Sequence, residues 1–441
     1  METPPSPPLF VPNPAPPPPP AKSGSLKWVL FIVLAVVIVI AVLTAVTVPA
    51  YRTMKRKAQE AGERRLEAAK PKLPLSAPDK AAVDAFGARV ARAVNEKDTA
   101  FLASVTDSEA MADRVFVPLG DGIDTQQAKR GFINGLQRNA SGLFNNVMGS
   151  EVKFMSQGER DGFPTVRLRV MFESGAVSFI DLLVRLDRSR TVKAVDIFTF
   201  VFGSYATTEA RNAMLLMMTK DQSSPLRVAL GMKDYDPVTT EALIKMSTAL
   251  RLGRGEEIVS QYKGLSQALK NERMFFLIYL QGLTTLQSES DEMNDLYRAA
   301  LMRAPELLGE ESATDFLRVD LQFMDNDFAG AEESLRKTED KVGRDAYLTQ
   351  MRALMFLRLN KVDEAQRLER EARKMEPDLL SLVDLRLLIH AARKDYPALV
   401  NELRELKTAR QVVITREQLT EPEYEEFLKS PEFANWEEEN R

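Results

Sequence analysis

The spacing of apolar positions changes character several times along this chain. From Trp28 to Val48 no charged residue interrupts an apolar run, with Trp28 and Tyr51 at its edges. Coiled as a helix, that run spans ~32 Å, close to the ~30 Å of bilayer hydrocarbon, and the aromatic rings suit the interface. It predicts a transmembrane helix over 27–50. From about 78 the period is helical: Val83, Phe86, Val90 and Val94 form one stripe in "DKAAVDAFGARVARAVNEKDTAFLASV". Asn95-Glu96-Lys97-Asp98 ends it before a second short helix, and a third is predicted around Gln126–Asn139. The period then falls to two. "EVKFMSQ", "TVRLRVMFE", "AVSFIDLLVRLD" and "TVKAVDIFTFVF" read as four strands joined by polar or Gly-containing turns. Helices followed by an antiparallel meander make an α+β layout.

The last two hundred residues return to helical spacing with a longer period laid over it. "NDFAGAEESL", "NKVDEAQRLE" and "KDYPALVNEL" begin at Asn326, Asn360 and Lys394, 34 residues apart each time. Phe328, Val362 and Tyr396 fall in register, as do Ala331, Ala365 and Leu399. Such a period marks stacked helix–turn–helix units. The best unit starts at Ala346. It has Ala353 and Phe356 in its first helix and Ala365 and Ala372 in its second, and Pro377 ends it. "DEMNDLYRAALMRAPE" from Asp291, with Pro305 as its stop, and "GEEIVSQYKGLSQAL" from Gly255 are two further candidates. "EPEYEEFLKSPEFANWEEENR" predicts a polar closing helix, which a stack of repeats needs at its end.

Composition adds exclusions rather than a function. At 441 residues the chain is too long for one core. Its net charge of −4 leaves no nucleic-acid footprint. There are no cysteines and one histidine, His390, so disulfides, a thiol nucleophile and a zinc site of the usual His/Cys kind are excluded. No metal and no cofactor is expected. Residues 1–26 are Pro-rich and predict a disordered tail. Residues 51–77 carry Arg52, Lys55, Arg56 and Lys57, then Pro71 and Pro74, and predict a basic helical stalk and linker.

Three resemblances attach to these patterns. The 34-residue units, with small residues at Ala331, Ala365 and Ala372, resemble the tetratricopeptide repeat, which implies a solenoid that binds a protein or peptide. The order of elements over 78–205, with "AVNEKDTAFLASV" at its first helical step, resembles the NTF2-like family. That implies helices under a curved sheet forming a cone, and a homodimer through that domain. "VIAVLTAVTVPAYRTMKRKAQ" resembles the apolar helix of type IV pilins, although the Gly-Phe cleavage site with a Glu five residues on is absent.

Two constellations can carry chemistry. If Ser174-Gly175 and Ser189-Arg190 are two-residue turns, Asp181 pairs with Leu168 and Phe198, and Asp196 with Leu183. Asp181 and Asp196 then lie on one face among Phe179, Phe198 and Phe200, where like charges could raise one pKa and form an acid/base pair. The plain alternative pairs these carboxylates with Arg167, Arg169 or Arg185. Separately, Arg318, Arg352 and Arg386 recur 34 apart in first helices, with His390 and Arg393 beside the last. A basic groove gripping an acidic peptide or a C-terminal carboxylate is one reading. A solvated face balanced by Asp315, Asp320 and Asp384 is the other.

The expected fold class is therefore multidomain: a single transmembrane helix, then an NTF2-like α+β cone, then an all-α repeat solenoid. The divisions are 1–26, 27–50, 51–77, 78–205, a connecting segment 206–236, and 237–441. The expected function is a single-pass membrane scaffold in a bacterial inner membrane. It would touch lipid through Trp28–Val48 and a polypeptide through Arg318, Arg352, Arg386 and His390, without catalysis. An enzyme or small-ligand site around Asp181 and Asp196 and a pilin-like assembly subunit are the alternatives.

Overall fold

The computed structural model describes residues 70, 73–119, 123–138, 144, 147, 150–172, 177–187, 189–218, 237–286, 290–309, 314–379, 381–411 and 413–440. The chain divides into two compact units, with the boundary between Leu321 and Gln322.

In the first unit, α1 (Ala77–Asn95) presents the predicted stripe: Val83, Phe86, Val90 and Val94 are all buried. Ser76 caps its start by accepting from the Asp79 amide. The helix lies so close to the sheet that a Cβ on Gly87 would fall 2.5 Å from a Phe154 ring carbon. At its end Lys97 takes a left-handed conformation, φ 57°. Asp98 then caps α2 (Thr99–Val105) by accepting from the Phe101 amide at 3.0 Å. Asn95 clamps the first strand, donating to the Val152 carbonyl at 3.0 Å and accepting from its amide at 2.7 Å. The Asn95–Asp98 step is thus a strand clamp followed by a helix cap.

Two more helices follow, α3 (Ser108–Phe116) and α4 (Ile123–Arg138). The sheet is a meander in the order β1 (Glu151–Arg160), β2 (Phe163–Met171), β3 (Val177–Leu186), β4 (Val192–Thr199) and the two-residue β5 (Ser204–Tyr205). One face of it, with Val166, Leu168, Ile180, Leu182 and Ile197, joins α1 and α2 in a single apolar core. Helix α5 (Ala206–Met218) packs on β4 and α3. The unit continues through α6 (Pro237–Arg251), α7 (Gly255–Lys263), α8 (Arg273–Leu286), α9 (Asp291–Leu308) and the start of α10 (Thr314–Met324). Phe179 of β3 meets Phe316 of α10 edge-on, with centroids 6.1 Å apart. Pro305 does not end its helix: α9 runs on to Leu308 and is closed by Gly309 at φ 81°.

The second unit holds α11 (Phe328–Val342), α12 (Ala346–Arg358), α13 (Val362–Met375), α14 (Ser381–Ala392) and α15 (Tyr396–Arg410), each packed on its sequence neighbours. The 34-residue period has a backbone cause. Asn326, Asn360 and Lys394 all sit at φ 57°. In each case the next amide donates to the carbonyl five residues back: Asp327 to Gln322 at 2.8 Å, Lys361 to Phe356 at 2.9 Å and Asp395 to His390 at 2.9 Å. Ala331, Ala365 and Leu399 are fully buried at the joints that follow. The same turn occurs at Lys97-Asp98 and Gly253-Arg254, so one left-handed step recurs in both units. The closing segment is not one helix. It makes three 3₁₀ turns, Arg416–Gln418, Pro422–Tyr424 and Phe427–Lys429, before α16 (Pro431–Glu439), where Phe433 and Trp436 are buried.

The expected transmembrane element requires a correction. Among the described residues, no helix is long and apolar enough to cross a membrane. The most apolar long helix, α8, has 14 residues, ~21 Å at 1.5 Å per residue, too short for a ~30 Å core. The 19-residue α1 is long enough but carries Asp79, Asp84, Arg89 and Arg92. The tail 1–26, the apolar run 27–50 and most of the stalk 51–77 lie outside the described residues. The fold class is accordingly mainly helical with one five-stranded antiparallel sheet, and neither the single transmembrane helix nor the single-pass membrane location is retained.

Candidate functional site

The candidate carboxylates are placed by strand register. Between β3 and β4, Asp181 stands opposite Phe198 and Leu183 opposite Asp196, the predicted pairs. They arise by a different route: the connection is the loop 187–191, and a bulge at Leu183/Val184 restores the pairing. Side chains two apart share a face, so Asp181 and Asp196 share one. Between β2 and β3 the register is slipped by one from the prediction. Asp181 stands opposite Arg167, not Leu168, and Phe179 opposite Arg169. That slip puts a guanidinium, rather than an aliphatic side chain, beside the carboxylate.

Each carboxylate is consequently taken up by arginine. Asp181, 1 % exposed, receives Arg167 in a fork, Nε to Oδ1 at 2.8 Å and Nη2 to Oδ2 at 2.9 Å, with Arg160 Nε at 3.4 Å. The Arg160 guanidinium lies 3.7 Å from the Phe198 centroid, and that of Arg167 4.6 Å from Phe200. Asp196 is fully buried. Its Oδ2 accepts from Arg114 Nε at 2.6 Å and Thr207 Oγ1 at 2.5 Å, and its Oδ1 from the amides of Ile197 at 2.8 Å and Thr207 at 3.2 Å. Burial pushes the Asp196 carboxyl up from its usual value, against the pull of Arg114 and Thr207. Burial also lowers Arg211 nearby. Arg114 stacks near Phe163 and Tyr205, and the Tyr205 hydroxyl donates to Asp161. The arrangement locks α3 and α5 onto the sheet through ions sandwiched by aromatic rings. Neither carboxylate is left without a cation to serve as an acid or a base. Thr207 and Arg114, which complete the site, were missed from sequence. The one signal for Arg114 was Asp107 as a cap ahead of the helical spacing of Met111 and Val115; the Ala110 amide donates to Asp107 at 3.0 Å.

Arg185 pairs with Asp107 instead, at an open groove of about 1010 Å³ lined by Ser104, Thr106, Glu109, Asp187 and Lys193 among others. Both signs of charge line it, so it selects no ligand class.

The repeat arginines are also engaged. Arg318 is half-exposed and lies 3.7 Å from Asp315. Arg352 donates to Glu332 at 2.8 Å and to Glu339 at 2.7 Å, both on α11. Arg386 holds Glu402 of α15 in a fork at 3.0 and 2.9 Å. Glu332, Glu339 and Glu402 escaped the sequence reading because they lie on neighbouring helices, outside the column of equivalent positions. His390 Nδ1 lies 3.9 Å from Asp395, beyond hydrogen-bonding distance. No group of three or more His, Cys, Asp or Glu side chains suited to a metal occurs among the described residues. No family model matches the chain, and no curated protein or solved structure matches it.

Proposed function

We propose that this chain is a non-enzymatic interaction protein whose helical hairpins present a surface to another polypeptide. The observation that carries this reading is the repetition of one left-handed turn at Asn326, Asn360 and Lys394, which sets successive hairpins 34 residues apart. Repeats stacked this way expose equivalent positions side by side along one surface, a form suited to an extended partner. The partner-binding role first given to Arg352 and Arg386 is not needed for it, since both are committed to glutamates within the fold. The acid/base alternative at Asp181 and Asp196 lacks a carboxylate free of arginine.

The test is cross-linking mass spectrometry on the purified full chain mixed with an extract of its source cells. Intermolecular cross-links are expected to concentrate on the hairpin lysines Lys337, Lys361, Lys374 and Lys407. If they fall instead on the sheet-side lysines Lys80, Lys129, Lys153 and Lys193, or on none, the hairpins are not the interaction surface.

A further inference from the structure

The segment between α15 and α16 is held in an unusual way. A closing element normally ends a repeat stack as a capping repeat with a polar outer face. Here Glu421–Phe427 has only isolated 3₁₀ turns, and side chains seat it on the hairpins. One guanidinium takes two of its acids: Arg358 Nη1 donates to both Glu423 oxygens at 2.7 and 2.8 Å, and Nη2 to Glu421. Arg358 is the last residue of α12 and is 15 % exposed at its side chain. The positions 34 residues before and after it are Met324 and Ala392, so this cation departs from the repeat and serves the segment alone. Tyr424 is buried, and its 3₁₀ turn packs on α14. Phe427 is fully buried against Tyr396 of α15, with centroids 5.5 Å apart. Lys394, at the left-handed turn, pairs with Glu426 at 2.6 Å.

The flanks are anchored independently. Trp436 Nε1 donates to the Ile414 carbonyl at 3.0 Å, and Arg404 and Arg416 hold Glu439 and Glu437. The stretch from 420 to 429 also touches α16, through Phe427, whose ring meets that of Phe433 edge-on at 5.2 Å, so lifting it while α16 stays in place parts that ring pair.

We infer that Arg358, Tyr396 and the α14 face form a recognition site for an acidic, aromatic-bearing peptide, and that the chain's own Glu421–Phe427 occupies it in cis. This rests on the reading of the hairpins as an interaction surface. The partner carries two carboxylates two residues apart, followed by a tyrosine or phenylalanine. Because the tethered segment competes at an effective concentration in the millimolar range, the free peptide binds the intact chain weakly.

The experiment uses the full chain and a synthetic peptide of Thr420–Lys429, with binding read by fluorescence anisotropy. Replacing Glu421→Lys and Glu423→Lys together repels the segment from Arg358, and the peptide is expected to bind this variant at least tenfold more tightly than the original chain. Adding Arg358→Ala abolishes that binding. The milder pair Glu421→Gln and Glu423→Gln repeats the test should the charge reversal fail to fold. Hydrogen exchange accompanies both: faster exchange confined to 420–429 supports the inference, whereas exchange spreading through α14 and α15 makes the segment a structural cap and overturns it. Equal affinity for variant and original, or a dimer formed by exchanging this segment between copies, overturns it too. Hairpin cross-links that persist while the peptide fails would sink this inference and leave the interaction reading standing.

Discussion

The sheet face and the hairpins both spend arginine on carboxylate, yet at different depths. On the sheet, Asp181 and Asp196 are 1 % and 0 % exposed and their arginines stack on aromatic rings. In the hairpins, Glu402 keeps 18 % of its side chain in water, and since Arg386 and the sheet's Arg167 are both 18 % exposed, the depth differs at the carboxylate. Depth decides what removing a partner costs. A fully buried carboxylate that loses a counter-ion has nowhere to be solvated, whereas one with part of its surface in water is partly rescued. The largest predicted contrast follows. Arg167→Met removes the fork on Asp181 and leaves Arg160 at 3.4 Å as its cation, so it should cost about 3 kcal/mol, and Arg386→Met about 1 kcal/mol. Urea titration followed by hydrogen exchange at β2–β3 and at α14 reads the two separately. Adding Asp181→Leu to Arg167→Met should recover most of the loss, because an apolar pair of similar volume replaces the buried fork at little cost and Arg160, 21 % exposed at its side chain, keeps contact with water. Equal losses at the two sites would erase the distinction in depth.

The two regions also differ in how far they could be read without coordinates. The hairpins were legible because each unit solves the same packing problem, so Ala331, Ala365 and the turn residues recur at a fixed count. The sheet elements were legible too: four predicted strands became β1 to β4. Their pairing was not. The face Asp181 shares with β2 depends on the connection between β2 and β3, and a slip of one residue exchanged Leu168 for Arg167. The β3–β4 pairs came out as predicted only because a bulge compensated a longer loop. Arg114 reaches Asp196 from 82 residues away, a separation that local periodicity cannot encode. In the hairpins the arginine column was visible, but its glutamate partners on the next helices were not.

A middle-sized test asks whether the shared turn is equally strained in both regions. Lys97 and Asn360 have the same φ of 57°, but the left-handed region costs lysine more than asparagine, whose short polar side chain tolerates it. Lys97 is exposed, so Lys97→Gly removes strain without removing packing. It should stabilise its unit by about 1 kcal/mol, and Asn360→Gly should gain less. Thermal midpoints of both variants check this. Were Lys97→Gly to destabilise, strain at this step would not be what the two regions share.

The smallest effect is expected at an acid standing in an apolar column of the repeat. Glu369 lies 34 residues from Leu335 and from Leu403, all three buried. Burial lifts its carboxyl above the usual range, while Arg373, at 3.2 Å, and Arg386 draw it back. A raised folded value means that the native state holds the proton more tightly than the unfolded chain. The contribution of Glu369 to stability is therefore best below the unfolded value near 4.5 and is lost as the pH rises through the raised one. Leucine at 369 has no such dependence, and Arg373, half in water, is solvated without a partner. Glu369→Leu should accordingly match the original chain near pH 4 and exceed it by ~1 kcal/mol at pH 7. Urea midpoints of the second unit at the two pH values measure the difference. A gap that stays flat or reverses would mean that the arginines, not burial, govern this carboxylate. The hairpins would then hold their buried charge as the sheet face does, by pairing.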